Sequence, residues 1–126
     1  SAGVEEAIEK EFGMSDLTCV ENTHPDRDYT IEFAFSEFTC INPDTDTPDF
    51  ADLTIRYVPD RQCLDTVSLK QYLNDYREQV VLAQTAVNRV LDDLVGACAP
   101  RSISVIGVFR VRGGIQTTVT AQFPMR

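Results

Sequence analysis

The feature that most constrains this fold is a change of hydrophobic period along one chain, from two to about 3.6 and back to two. Tyr29, Ile31, Phe33 and Phe35 alternate with Thr30, Glu32, Ala34 and Ser36. Successive side chains on a strand point to opposite faces, so this run predicts a strand with one buried face over residues 29–35. Leu53, Ile55 and Tyr57 alternate with Asp52, Thr54 and Arg56 and predict a second strand, closed by the turn chemistry of Pro59-Asp60. Asp65 or Thr66 suits the N-cap of a helix over about residues 67–79. Val80, Ala83, Val87, Val90, Leu91, Leu94 and Val95 then form a second helical stripe, ended by Gly96 and Pro100. Residues 103–111 and 115–123 read as two more strands around a Gly113-Gly114 turn. The order β-β-α-α-β-β predicts an α+β domain: an antiparallel four-stranded sheet with two helices on one face.

Residues 1–21 read as an N-terminal extension with a short amphipathic helix, on which Val4, Ala7, Ile8 and Phe12 share a side and Gly13 is the stop. Residues 22–126 form the domain. Residues 22–28 are polar and turn-forming, and residues 42–49, with two prolines and three aspartates, read as a loop. Ala34, Ile106 and Val108 lie out of phase with the main apolar set, so the sheet's second face is not fully polar and needs a cover. Subunits joined edge to edge into a closed barrel would supply it and remove exposed edges. Self-association through sheet edges, giving a homo-oligomer, is therefore expected.

A chain of 126 residues fits one domain. Its net charge of −9 argues against nucleic acid or an anionic membrane as partner. A small anionic ligand is not excluded, because one local Lys/Arg pocket suffices. No apolar run approaches the roughly 20 residues needed to cross a bilayer. The acidic start lacks the basic and apolar regions of a signal peptide, so a cytoplasmic location is expected. Cys19, Cys40, Cys63 and Cys98 are irregularly spaced and read as reduced thiols. With His24 the only histidine, no zinc site is expected.

Several short runs carry more than periodicity. His24-Pro25 and Arg27-Asp28-Tyr29 lead into the first strand, and Glu37-Phe38-Thr39 closes it. Pro48-Asp49-Phe50-Ala51, Ile55-Arg56-Tyr57, Pro59-Asp60, Ser68-Leu69-Lys70 with Tyr72-Leu73, and Arg112-Gly113-Gly114-Ile115 follow. In this order, over about residues 22–116, they resemble the tunnelling-fold (T-fold) nitrile reductases of the queuosine pathway, the 7-cyano-7-deazaguanine reductase family. The resemblance implies a T-fold that oligomerises into a barrel, a purine-like heterocycle as substrate and NADPH as cofactor. In that family a cysteine before the loop proline adds to the nitrile, and NADPH reduces the resulting thioimide.

The departures fall on this chemistry. Asn42 stands at the cysteine position, and a carboxamide cannot replace a thiolate nucleophile. The family's Glu-Ser-Lys-Ser-Leu-Lys run begins here as Asp65-Thr66-Val67, so its first lysine is Val67. The family's His-Glu pair falls on Ala83-Gln84. The resemblance carries over Asp49 as the proton donor, Ser68 and Leu69 as substrate-binding residues, and Lys70 and Arg112 as cofactor-binding residues. Loss of the lysine at Val67 weakens the NADPH implication without removing it. His24 reads as structural.

Gln84 is the most useful departure. A carboxylate offers two acceptors to the adjacent N–H and NH₂ donors of a guanine edge; a carboxamide offers one acceptor and one donor and suits N–H beside C=O. Three functions follow. The leading one is a diverged T-fold enzyme acting on a purine-like or other nitrogen heterocycle by non-thioimide chemistry, with Asp49 as acid/base, Gln84 as ring anchor and Asn42 binding the reacting group or a water. The second is nitrile reduction retained through Cys40, two residues before Asn42, as a displaced nucleophile. The third is a non-catalytic ligand-binding or assembly subunit.

Overall fold

The computed structural model describes residues 14–125; the helix expected within residues 4–12 lies outside them. The elements run β1 (Cys19–Glu21), β2 (Ile31–Asn42), β3 (Thr47–Val58), β4 (Gln62–Leu64), α1 (Thr66–Asn74), a 3-10 turn (Asp75–Glu78), α2 (Ala83–Cys98), β5 (Ser102–Phe109) and β6 (Thr118–Phe123). Strands β2, β3, β5 and β6 form one antiparallel sheet in that order. The core lies between this sheet and the helices, as the period change predicts. A second small sheet pairs β1 with β4, too short to leave a periodic trace in the sequence. It joins residues of the N-terminal extension to the domain, and the Thr18 N–H adds a hydrogen bond to Ser68 Oγ at 3.0 Å.

The expected loop over residues 42–49 is mostly strand. The β2–β3 ladder continues through Cys40↔Asp49 and Ile41↔Pro48 to Asn42↔Thr47, leaving residues 43–46 as the connection. Proline disfavours a strand because it lacks an N–H, but at the mouth of a hairpin that donor is dispensable.

The register of this hairpin matters for everything near it. Phe35 pairs with Leu53 and Phe38 with Ala51, so β2 carries one extra residue at Ser36-Glu37. Such a bulge shifts the alternation by one. Phe38 and Cys40 therefore join Phe33 and Phe35 on the helix side, both fully buried. On β3, Asp49 is in phase with the buried residues Ala51, Leu53, Ile55 and Tyr57. A carboxylate thus continues the apolar stripe of a central strand.

The first helix is shorter than the stripe suggests. Asp65 caps it, accepting from the Ser68 N–H, but after Asn74 the chain tightens into the 3-10 turn. Val80 is not helical: residues 79–81 run extended beside the end of β2, with the Ile41 N–H donating to Gln79 O and the Val81 N–H to Ile41 O, both at 2.9 Å. This clamp fixes where α2 begins. Helix α2 then lays Ala86, Val87, Val90, Leu91, Leu94 and Cys98 on the sheet. It passes the expected stop at Gly96 and ends at Ala99, which takes the left-handed conformation at φ 45°. Gly107 on β5 is what lets α2 approach: a Cβ there would lie 2.9 Å from Val87 Cγ2. Among the described residues no helix is long and apolar enough to cross a membrane.

Candidate functional site

Three segments converge at one end of the sheet: the β2–β3 hairpin mouth, the start of α2, and the arm of residues 110–117 that joins β5 to β6. They line a cavity of about 280 Å³ with Asn42, Asp49, Gln84, Arg110 and Arg112 among its residues. Leu82, Phe109 and Ile115 give it apolar walls, and Thr117 adds a hydroxyl.

Asn42 is held at both ends of its side chain. Its Oδ1 accepts the Asp44 N–H at 2.8 Å, an Asx turn, and its backbone carbonyl accepts the Asp46 N–H at 2.8 Å. Asp46 sits at φ 55°, a left-handed position that aspartate tolerates better than most residues. Asn42 Nδ2 donates to Asp49 Oδ2 at 3.2 Å. Arg112 completes the arrangement: its Nε lies 2.8 Å from Asp49 Oδ1, and its Nη2 donates to the Pro48 carbonyl. Both oxygens of the nearly buried Asp49 therefore accept from named donors.

Local chemistry aims Arg112. Gly113 and Gly114 both take positive φ, 57° and 82°, and Arg112 and Ile115 exchange two backbone hydrogen bonds of 2.9 Å around them. Glycine adopts this two-residue turn without the strain a side chain adds. The arm is tied to β3 by the Arg110 N–H donating to Phe50 O at 2.8 Å, and the Arg110 side chain reaches Asp52 at 3.0 Å.

Gln84 is exposed in the first turn of α2, beside Ala83 at the cavity. The helix starts at Leu82 with no side-chain cap and no acidic residue in its first turn. The structure thus brings Asn42, Asp49, Gln84 and Arg112 together, and adds Arg110. Nothing in the local pattern of Arg110 marks it in the sequence; it comes to the cavity because β5 ends at Phe109 beside the start of β3.

The structure does not bring Ser68, Leu69 or Lys70 to this cavity. Helix α1 follows the far end of β3, and the strand separates Asp49 from Val58 by about 30 Å at the usual rise. Ser68 Oγ accepts from Thr18 and lies 3.0 Å from Asp65 O, Leu69 is in the core, and Lys70 is exposed. Cys40 does not line the cavity either. It is fully buried, and burial, reinforced by the Asp49 charge, pushes its thiol up to about 11. His24 bonds to Thr23 Oγ1 and Asn22 Oδ1 in its loop. All four cysteines are free, and no described group of His, Cys, Asp and Glu is arranged to hold a metal.

Comparison with known proteins gives one consistent answer. The family model described as QueF-like protein matches residues 48–126. The chain is 48% identical over 107 residues to the NADPH-dependent 7-cyano-7-deazaguanine reductase of Pelodictyon phaeoclathratiforme, covering 85% of this chain and 92% of that protein. It is 45% identical over 108 residues to the protein of the same name from Nitrosococcus oceani, covering 86% and 84%. Among solved structures, the archaeosine synthase QueF-Like in its apo form superposes with a TM-score of 0.69 at 18% identity, over 74% of this chain and 91% of that one. That likeness establishes the fold: an α+β T-fold with two helices on an antiparallel sheet.

Proposed function

This chain belongs to the QueF-like protein family, and from that premise we propose that it binds a purine-like or other nitrogen heterocycle in the Asn42–Asp49–Gln84 cavity and acts on it without a thioimide. The observation that carries the reading is the convergence of Asp49, Asn42, Gln84 and Arg112 on one open cavity. A volume of about 280 Å³ lies near the lower limit of ligand pockets, about 300–1,000 Å³, and suits a small ring system.

Asn42 takes the place of the nucleophile that the resemblance implies. Its amide cannot add to a nitrile, and its bonds to Asp44 and Asp49 give it a positioning role instead. Asp49 is the proton acceptor. Of its two bonds, the 3.2 Å contact from Asn42 is longer than the 2.8 Å contact from Arg112, so Oδ2 is the oxygen that exchanges its partner for a ring N–H or a water. Arg112 holds the other oxygen in place. Fixed dipoles of this kind stabilise developing charge without reorganising during the reaction. Gln84 anchors the ring, pairing a C=O and an adjacent N–H with its amide.

NADPH is not assigned to this cavity. Lys70 lies on another part of the domain, Arg112 is committed to Asp49 and Pro48, and the space of one chain is too small for a dinucleotide beside a ring. Relatives at 45–48% identity carry the name NADPH-dependent 7-cyano-7-deazaguanine reductase, which favours nitrile reduction as the second reading; the burial of Cys40 as a thiol counts against that residue as its nucleophile.

A thermal-shift screen of nucleobases, pterins and deazapurines is the test, followed by product analysis with any ligand that binds. A bound ligand raises the melting temperature by mass action. The expected result is a hit whose turnover disappears in Asp49→Ala. Turnover unchanged in that variant removes Asp49 from the chemistry; binding without any turnover leaves a ligand-binding subunit.

A further inference from the structure

Charge in the cavity runs against the charge of the molecule. The chain carries −9 overall, yet the charged residues lining this space are Arg110, Arg112 and Asp49. Asp49 is neutralised at 2.8 Å by Arg112, and its second oxygen is taken by Asn42. This carboxylate is therefore not presented as a free pair of acceptors, which is what a guanine edge needs.

What the cavity does offer is donors. Among the described residues the Arg110 side chain pairs with Asp52, at 3.0 Å and with both side chains about half exposed. An exposed ion pair of this kind contributes little, so the guanidinium is free to exchange Asp52 for a ligand. Asn42 Nδ2 retains a second N–H, and Thr117 supplies a hydroxyl. The uncapped first turn of α2 adds a positive end to the same wall.

Resting on the heterocycle reading above, we infer that the ligand is taken as an anion: an oxo-substituted ring carrying a ring-borne negative charge or a carboxylate, with Arg110 as the residue that sets the preference. Arg112 is fixed against the loop and supplies background potential, whereas Arg110 is the cation able to move onto the ligand. The inference concerns binding alone and requires no bond to form or break.

The test uses two pairs of probes, each an anion and a neutral ring at neutral pH: urate against hypoxanthine, and orotate against uracil. Calorimetric titration of the full chain is expected to show the anion of a pair binding at least about tenfold more tightly. Arg110→Gln is expected to shrink that advantage to about threefold or less, and Arg110→Lys to keep its sign, because Lys retains the charge but not the planar fork. Arg110 is half exposed and outside the core, so these variants should keep the native circular dichroism spectrum. Neutral probes binding as well as their anionic partners, or an anion advantage undiminished in Arg110→Gln, overturns the inference while leaving the heterocycle reading intact. No binding by any of the four probes also overturns the inference, whereas the heterocycle reading stands or falls on the wider thermal-shift screen.

Discussion

Asn42 and Cys40 sit two residues apart on the same strand and face the same side, yet their surroundings separate them. Asn42 reaches the hairpin mouth, where its side chain joins Asp44 to Asp49. Cys40 points into the core against Phe38 and its neighbours and is fully buried. A thiol must ionise to attack, and burial raises this one from 9.0 to about 11. Intact-protein mass spectrometry after incubation with 7-cyano-7-deazaguanine at neutral pH is therefore expected to show no covalent adduct. An adduct that vanishes in Cys40→Ala would return the chain to nitrile reduction. Asp49 was legible in the sequence through the Pro-Asp-Phe-Ala run in which it stands; that it extends the stripe of Ala51, Leu53, Ile55 and Tyr57 emerges only in the structure, where residues expected as loop continue the strand. A charge at a position where the pattern calls for an apolar residue marks a site. Arg110 had no such mark, because its place depends on which strand lies beside β5.

At the scale of elements, the four long strands and two helices follow from periodicity, and their ends do not. The bulge at Ser36-Glu37 is invisible to a pattern that assumes strict alternation, and it alone puts Phe38, Cys40 and Asn42 on the helix side. The clamp of residues 79–81 against Ile41 likewise withdraws Val80 from the helical stripe its spacing predicts; tertiary pairing overrides local preference there. Helix α2 approaches β5 tightly at Gly107. A methyl group there would meet Val87 Cγ2 at 2.9 Å, Phe109 Cε1 at 3.1 Å and Leu53 Cδ2 at 3.2 Å. The β-branched Val87 has little freedom to yield within a helix. Gly107→Ala is expected to destabilise the fold by about 1–3 kcal/mol, as overpacking of a dense core does, measured by urea unfolding. Because Phe109 also lines the cavity, the same variant should weaken ligand binding. Wild-type stability in Gly107→Ala would show that the helix and sheet have slack between them.

For the whole molecule, the sheet ends in two edges: β2 and β6 each have one main-sheet neighbour among the described strands. Its open face mixes Glu32 and Arg56, joined by hydrogen bonds of 2.6 and 2.9 Å, with Thr54, half-buried Ile106 and Val108, and Thr120. Exposed strands with a partly apolar face invite pairing with another chain. We propose that copies of this chain associate through these edges. Light scattering coupled to size exclusion is expected to give a mass several times the 14.1 kDa of one chain; a monomer at micromolar concentration would end the barrel proposal.

The sequence by itself determined the class of fold, the order of its elements and the motif frame around Asp49, because period and turn chemistry act over a few neighbouring residues. Only the tertiary structure decided which charged groups meet. Asp49 gains Arg112 from sixty-three residues away, Asn42 becomes the brace of that pair, and Arg110 enters the cavity while Ser68, Leu69 and Lys70 do not. Those outcomes depend on strand register, on one bulge and on a Gly-Gly turn, and each moves a side chain farther than a hydrogen bond can reach.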